Sequence, residues 1–332
     1  MTAPVLEVEN LKVHFPLPGG EAVHAVDGLS FSLPAGLAFG LVGESGSGKT
    51  TAAMACARLT EITSGQIRLS GRDITALQGT ALKDARRDVQ VVFQDPYASL
   101  NPRERAGAIV RRPLDLLKIG TPAQRDARVD ELFALVGLRP DQKALFPHQF
   151  SGGQRQRIGI ARALATGPKL LVCDEPVSAL DVAIQAQILN LLARLKADLG
   201  LSFLFISHDL AVVQHLCDRI AVMYLGKIVE IASRRDLFTT PMHPYTHALI
   251  SAVPSPHTAA SRIRLQGDPP SPINPPKGCR FAGRCAHAQD ICHRVMPTLI
   301  ANDTDHAVAC HRAHDPVVAA ARTVLPRSAQ SA

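Results

Sequence analysis

Tryptophan is missing from these 332 residues, and aromatic side chains make up only 4% of them. Proteins that read single-stranded nucleic acid stack bases on aromatic platforms, so this composition argues against that class. No apolar run reaches the ~18 to 20 residues needed to cross a bilayer, and the opening Met-Thr-Ala-Pro-Val-Leu-Glu has no basic stretch followed by an apolar one. The expectation is a cytosolic chain that does not span a membrane. Charge is not blocked either: Arg and Lys outnumber Asp and Glu by 7, but they are scattered, which selects no partner on its own. Internal repeats are absent as well.

What the chain has is 46% apolar residues, enough to bury a large core, with room for an appendage. Seven cysteines divide unevenly. Cys56, Cys173 and Cys217 stand alone and read as small buried hydrophobes. Cys279, Cys285, Cys292 and Cys310 cluster near the end and need a separate explanation.

Residues 5–33 alternate short β-like runs with Pro and Gly turns, as a small antiparallel sheet would. From Leu37 the pattern changes. Leu37 to Val42 is an apolar strand running into a glycine loop, and Lys49 to Leu59 has the Ala/Met content of a helix. Residues 95–150 are polar, mostly helical and broken by prolines. After them come a helix (154–166), a strand (170–173), a helix (182–199), a strand (202–206) and a short helix (210–217), an alternation that implies a parallel sheet covered on both faces. The segment before Gly278 is rich in proline and reads as a linker. The expected division is a main domain over 1–250 containing the helical insert 95–150, a linker over 251–278, and a cysteine-cluster region with a tail over 279–332.

Gly43-Glu44-Ser45-Gly46-Ser47-Gly48-Lys49-Thr50, followed by Thr51, is a phosphate-binding loop between that strand and that helix. Triphosphate oxygens need several donors at once. Gly43, Gly46 and Gly48 let backbone amides approach, Lys49 adds charge, and the Thr50 hydroxyl suits Mg²⁺. One such loop and no repeat means one nucleotide-binding unit. Leu170-Leu171-Val172-Cys173-Asp174-Glu175 supplies the acidic partner: Asp174 on the metal side, Glu175 as the base or water-orienting group.

Ser151-Gly152-Gly153-Gln154, directly before a helix, resembles the signature motif of ABC ATPases. The resemblance implies an α/β P-loop ABC ATPase fold with a mixed core sheet, an N-terminal antiparallel β subdomain, an inserted helical subdomain and a small Cys-containing C-terminal region. It also implies a head-to-tail dimer in which the signature of one subunit closes on ATP held by the other. By the same resemblance Gln94 matches the Q-loop glutamine on Mg²⁺ and water, His208 the switch histidine on the γ-phosphate, and Ser178-Ala179-Leu180-Asp181 the D-loop. Phe15 matches the aromatic that stacks on adenine, with a core phenylalanine as the other reading.

Only about 100 residues separate loop and signature, too few for the coiled coil of chromosome-maintenance relatives, and a single cassette without a span points to a separate transport subunit. His243-Pro244-Tyr245-Thr246, Asn274-Pro275-Pro276 and Asn101-Pro102-Arg103 resemble the oligopeptide, dipeptide and nickel importer ATPases. That family implies a second, similar ATPase, two permease subunits, an extracytoplasmic binding protein met only indirectly, and a peripheral position on the cytoplasmic face of the membrane. Peptide is the expected cargo and nickel the alternative; a nucleic-acid-linked or redox-regulatory ATPase is the alternative of another class, although no nucleic acid partner is expected. The spacing Cys279-x5-Cys285-x6-Cys292-x17-Cys310 resembles a region that holds a 4Fe–4S cluster in some peptide-importer ATPases, with zinc and unligated thiols as other readings. His287, His293, His306 and His311 nearby read as solvated surface residues, with substitute ligands as the other reading.

Overall fold

Ala38-Phe39-Gly40-Leu41-Val42 has no polar side chain, and the structure explains why: this strand (β3, Ala38–Val42) is buried on both faces. The computed structural model describes residues 3–253, 263–302, 305–315 and 318; part of the expected linker and of the tail lies outside them. In it β3 sits inside an eight-stranded sheet. On one side it pairs with β8 (Ser202–Ser207), then β7 (Leu170–Asp174) and β6 (Val89–Val92), and on the other with β9 (Arg219–Tyr224), all parallel. Beyond β9 the sheet turns antiparallel through β10 (Lys227–Ser233), β12 (Ala307–Val308) and β11 (Ile300–Ala301). The sheet is therefore mixed, as expected, but the cysteine-bearing segment contributes two of its strands.

A second sheet, ordered β2-β1-β4-β5, is built from β1 (Pro4–Pro16), β2 (Ala22–Pro34), β4 (Ser64–Leu69) and β5 (Arg72–Asp73). Leu6, Val8, Leu11 and Val13 of β1 face its core, and the break in their alternation is absorbed where Asn10 takes φ +46°. Helix α1 (Lys49–Cys56) stops three residues short of the expected Leu59, because Arg58 turns left-handed at φ +55° and its guanidinium donates to the Ile74 carbonyl at 2.9 Å. A further helix, α2 (Gly79–Asp88), leads into β6.

The insert forms α3 (Ala106–Leu116), α4 (Pro122–Leu135) and α5 (Gly152–Leu164). Thr121 and Gln124 make a reciprocal capping box at the start of α4, and Ser151 and Gln154 make one at the start of α5. Ile109, Leu132, Phe133 and Ile158 bury against one another and join the core on one face of the large sheet. The long helix α6 (Val182–Leu199) and α7 (Leu210–Leu216) cover that face too, followed by α8 (Arg234–Thr239), α9 (Pro244–Ser251) and a short α10 (Asp290–Arg294). Cys56, Cys173 and Cys217 are fully buried, and burial pushes the Cys56 thiol up to about 12.

Candidate nucleotide site

The loop after β3 folds so tightly that side chains are excluded at two of its glycines. A Cβ on Gly43 would lie 2.1 Å from the Met223 carbonyl oxygen, and one on Gly48, at φ +97°, would lie 2.0 Å from that of Ala25. Gly46 faces open space, so its requirement comes from φ +78° alone. Lys49 is buried, and its ammonium donates to the carbonyls of Gly43 (2.9 Å) and Glu44 (2.8 Å). Burial lowers its pKa, against the pull of Glu175, Asp174 and Glu44. Next to it the Thr50 hydroxyl donates to Asp174 Oδ1 at 2.9 Å. Burial raises the Asp174 pKa, opposed by that hydrogen bond and reinforced by the charge of Glu175. Two hard oxygens meeting at a buried carboxyl beside a second carboxylate, Glu175, fit a Mg²⁺ ion.

Glu175, the first residue after β7, sits in the left-handed region at φ +44°, a conformation that costs a non-glycine residue about 1–3 kcal/mol. Its amide donates to the Ile206 carbonyl at 3.0 Å. Its carboxylate is held from two sides: His208 Nδ1 lies 3.0 Å from Oε1, and Gln94 Nε2 donates to Oε2 at 3.3 Å. Gln94 follows β6 and His208 follows β8, so three adjacent parallel strands deliver these groups to one crevice at their C-terminal ends. Gly43, Glu44, Ser45, Gly46, Gly48, Lys49, Thr50 and Thr51 line the same cleft with Gln94, Glu175 and His208.

Other expected residues lie elsewhere. Ser151 caps α5, accepting from the Gln154 amide at 3.3 Å, while Gln154 Oε1 accepts from the Ser151 amide at 3.0 Å. Neither Ser151, Gly152, Gly153 nor Gln154 lines the cleft. The glycines have a packing reason that sequence reasoning missed: a Cβ on Gly153 would be 2.5 Å from Ile184 of α6, and one on Gly152 would be 3.3 Å from Leu180. Asp181 is exposed at the start of α6, and the Ser178 hydroxyl donates to the Glu175 carbonyl at 3.1 Å. Phe15 is 44% exposed, directly opposite Val23, which lines the cleft.

Residues 26–178 match the family model described as "ABC transporter", and residues 229–292 match "Oligopeptide/dipeptide transporter, C-terminal region". The oligopeptide transport ATP-binding protein AppF of Bacillus subtilis is 49% identical, covering 92% of this chain and 97% of its own length. The chain belongs to the ABC transporter ATP-binding proteins. The probable peptide ABC transporter ATP-binding protein y4tS of Sinorhizobium fredii is 46% identical over 99% of this chain and 98% of its own. Among solved structures, the ATP-binding cassette MJ0796, a dimer bound to ADP and Pi, superposes with a TM-score of 0.63 at 28% identity, covering 69% of this chain and 99% of the other. As an ABC ATPase this chain binds and hydrolyses ATP, with an ATPase dimer and membrane permease partners as its setting. No helix among the described residues is long and apolar enough to cross a membrane.

The same findings correct the iron–sulfur expectation. The matched families and relatives are described as transport ATPases, and nothing in those descriptions carries an iron–sulfur group. Cys279, Cys285, Cys292 and Cys310 do line one small cavity. Burial pushes the Cys279 thiol up to about 11 and raises the Cys285 thiol as well. Among the described residues no three of these sulfurs all lie within 4.8 Å of one another. His306 is not a surface residue: it is 3% exposed, with Nε2 2.6 Å from the fully buried carboxylate of Glu230.

Proposed function

We propose that this chain is the ATPase subunit that powers import of di- and oligopeptides, pairing with a second, similar ATPase on the cytoplasmic face of two permease subunits that receive cargo from an extracytoplasmic binding protein. The names of its relatives support the cargo class. The observation that carries the chemistry is the Glu175 carboxylate held between Gln94 and His208 beside the Thr50–Asp174 pair.

In this reading Thr50, Asp174 and Gln94 hold Mg²⁺, which when bound neutralises charge on the β- and γ-phosphates. Lys49 leaves the carbonyls of Gly43 and Glu44 for phosphate oxygens, and the amides of the loop from Gly43 to Thr51 complete the cradle. Glu175 orients the attacking water and takes its proton, while His208 and Gln94 fix the carboxylate. Ser151, Gly152, Gly153 and Gln154 act across the dimer: the α5 N-terminus of one subunit presents its amides to ATP on the other, and Asp181 meets the partner near Glu175. Phe15 and Val23 flank the base. The absence of Ser151, Gly152, Gly153, Gln154 and Asp181 from the cleft of a single chain agrees with a site that two subunits share.

Glu175→Gln keeps the side chain's shape and removes the base. ATP binding should persist while turnover falls by about 10²–10⁴-fold; retained ATPase activity would remove Glu175 from the role. ATP-dependent peptide uptake into vesicles holding the full transporter tests the cargo.

A further inference from the structure

Glu44 is the one acidic side chain in the phosphate loop, and it lines the cleft that must accept a triphosphate. Left alone, its carboxylate would repel the nucleotide. It is not alone. The guanidinium of Arg284 forks onto it, Nη1 to Oε2 at 2.8 Å and Nη2 to Oε1 at 3.2 Å. The same Nη1 reaches the Tyr224 hydroxyl at 3.3 Å, and the Arg284 side chain is 9% exposed. The backbone of Glu44 is held as well: its amide donates to the Tyr245 hydroxyl at 2.9 Å. The second residue of the loop is thus fixed at both ends by side chains more than 200 positions downstream.

Arg284 sits in a stiff turn. Cys279 N–H donates to the Cys292 carbonyl at 2.7 Å, Ala282 N–H to that of Cys279 at 3.0 Å, and Arg284 N–H to that of Phe281 at 2.9 Å. Gly278 permits the first contact, since a Cβ there would lie 2.4 Å from the Cys292 oxygen. A second arginine of the turn, Arg280, is buried and bonds the Leu225 carbonyl and the Asp27 carboxylate. Leu225 and Gly226 line the cleft, and Gly226 N–H donates to the Ser47 carbonyl at 2.9 Å. One turn of the C-terminal region therefore grips the phosphate loop directly through Arg284 and its neighbouring hairpin through Arg280.

We propose that Arg284 is a positioning residue of the nucleotide site, which draws the Glu44 carboxylate away from the incoming phosphates and pre-orders the loop, so that the cysteine-bearing turn sets ATP affinity. Fixing a loop before binding lowers the entropy lost on binding, and masking a like charge removes a repulsion. The inference rests on ATP occupying this cleft, and it assigns the C-terminal region a role in that site.

The test measures binding of a fluorescent ATP analogue and steady-state ATPase activity for full-length wild type, Arg284→Gln, Glu44→Gln and the double variant. Arg284→Gln should raise Kd and KM for ATP about 10-fold, the effect of one charge-assisted pair, with kcat within about 2-fold. Glu44→Gln, having no charge to mask, should move KM far less, and in the Arg284→Gln background it should restore most of the lost affinity. Arg284→Lys should fall between. An unchanged Kd in Arg284→Gln, a fall in kcat alone, or losses that add in the double variant would overturn the proposal. If Arg284→Gln does not fold, Tyr245→Phe replaces it: it keeps the ring, frees the Glu44 amide and should raise KM, and an unchanged KM counts against the idea. Wild type that binds no analogue would instead defeat the ATP reading of the cleft.

Discussion

His243 ties the stability of this protein to pH, with a direction that can be worked out. It is 1% exposed at the start of α9, and its Nδ1 accepts the Tyr245 amide at 3.1 Å, so that nitrogen carries no proton in the folded state. Burial depresses its pKa from 6.5 to about 4, opposed only by the charge of Glu230. The unfolded chain takes up this proton near pH 6.5 and the folded chain only near 4. Between those values the unfolded state binds more protons, so stability rises with pH and is lost as pH falls through that window. A difference of roughly 2.5 units corresponds to about 3 kcal/mol. The assay is urea unfolding of wild type and His243→Asn at intervals from pH 7.5 to 4.5. Asparagine still offers a side-chain oxygen to the Tyr245 amide but does not titrate. Carboxylates and other histidines titrate in both proteins and cancel. Wild type should therefore lose about 2–3 kcal/mol relative to the variant across the range. Parallel curves would refute the reasoning.

Gly48→Ala should abolish ATP binding, measured by analogue fluorescence, because the added methyl meets the Ala25 carbonyl at 2.0 Å in a backbone with φ +97°. Glu230→Ala leaves the amides of Met242 and His243 and the ring of His306 without the carboxylate they share; thermal and urea unfolding should register a loss of about 3–5 kcal/mol. Asp174→Asn should leave the fold intact and shift the Mg²⁺ dependence of ATPase activity to higher concentration, read from a magnesium titration.

Much of the nucleotide site was legible because its parts are local. A strand, three glycines, Lys49 and Thr50 fall within thirteen residues, and Gln94, Glu175 and His208 each come one or two positions after a recognisable apolar strand. Phe15 lies directly opposite Val23, which lines the cleft, so the two share one face of the sheet, and such cross-strand register does not show in a single run of residues. The closeness of Gly152 and Gly153 to Leu180 and Ile184 depends on how α5 meets α6, which their spacing in the sequence does not show. β11 and β12 have two residues each, too short for any periodicity, so the joining of the C-terminal segment to the core sheet left no signal in the sequence.

The buried carboxylate of Glu230 explains why that late segment docks where it does. Glu230 lies in an otherwise apolar stretch of β10, opposite Val308 of β12, and is 0% exposed. A carboxylate removed from water must find donors or it destabilises the fold. It finds the amides of Met242 and His243, at 2.6 and 2.9 Å, and the ring of His306. The first two orient the start of α9, which presents Tyr245 to Glu44. The third fixes the approach to β12, whose pairing with β10 brings in the segment that follows the Arg284 turn. Satisfying one buried charge thus sets the position of both groups that hold the second residue of the phosphate loop. It follows that Glu230→Gln, which keeps shape and removes charge, should disturb ATP affinity more than any comparable change on the outer strand β11, although Glu230 itself touches no part of the cleft.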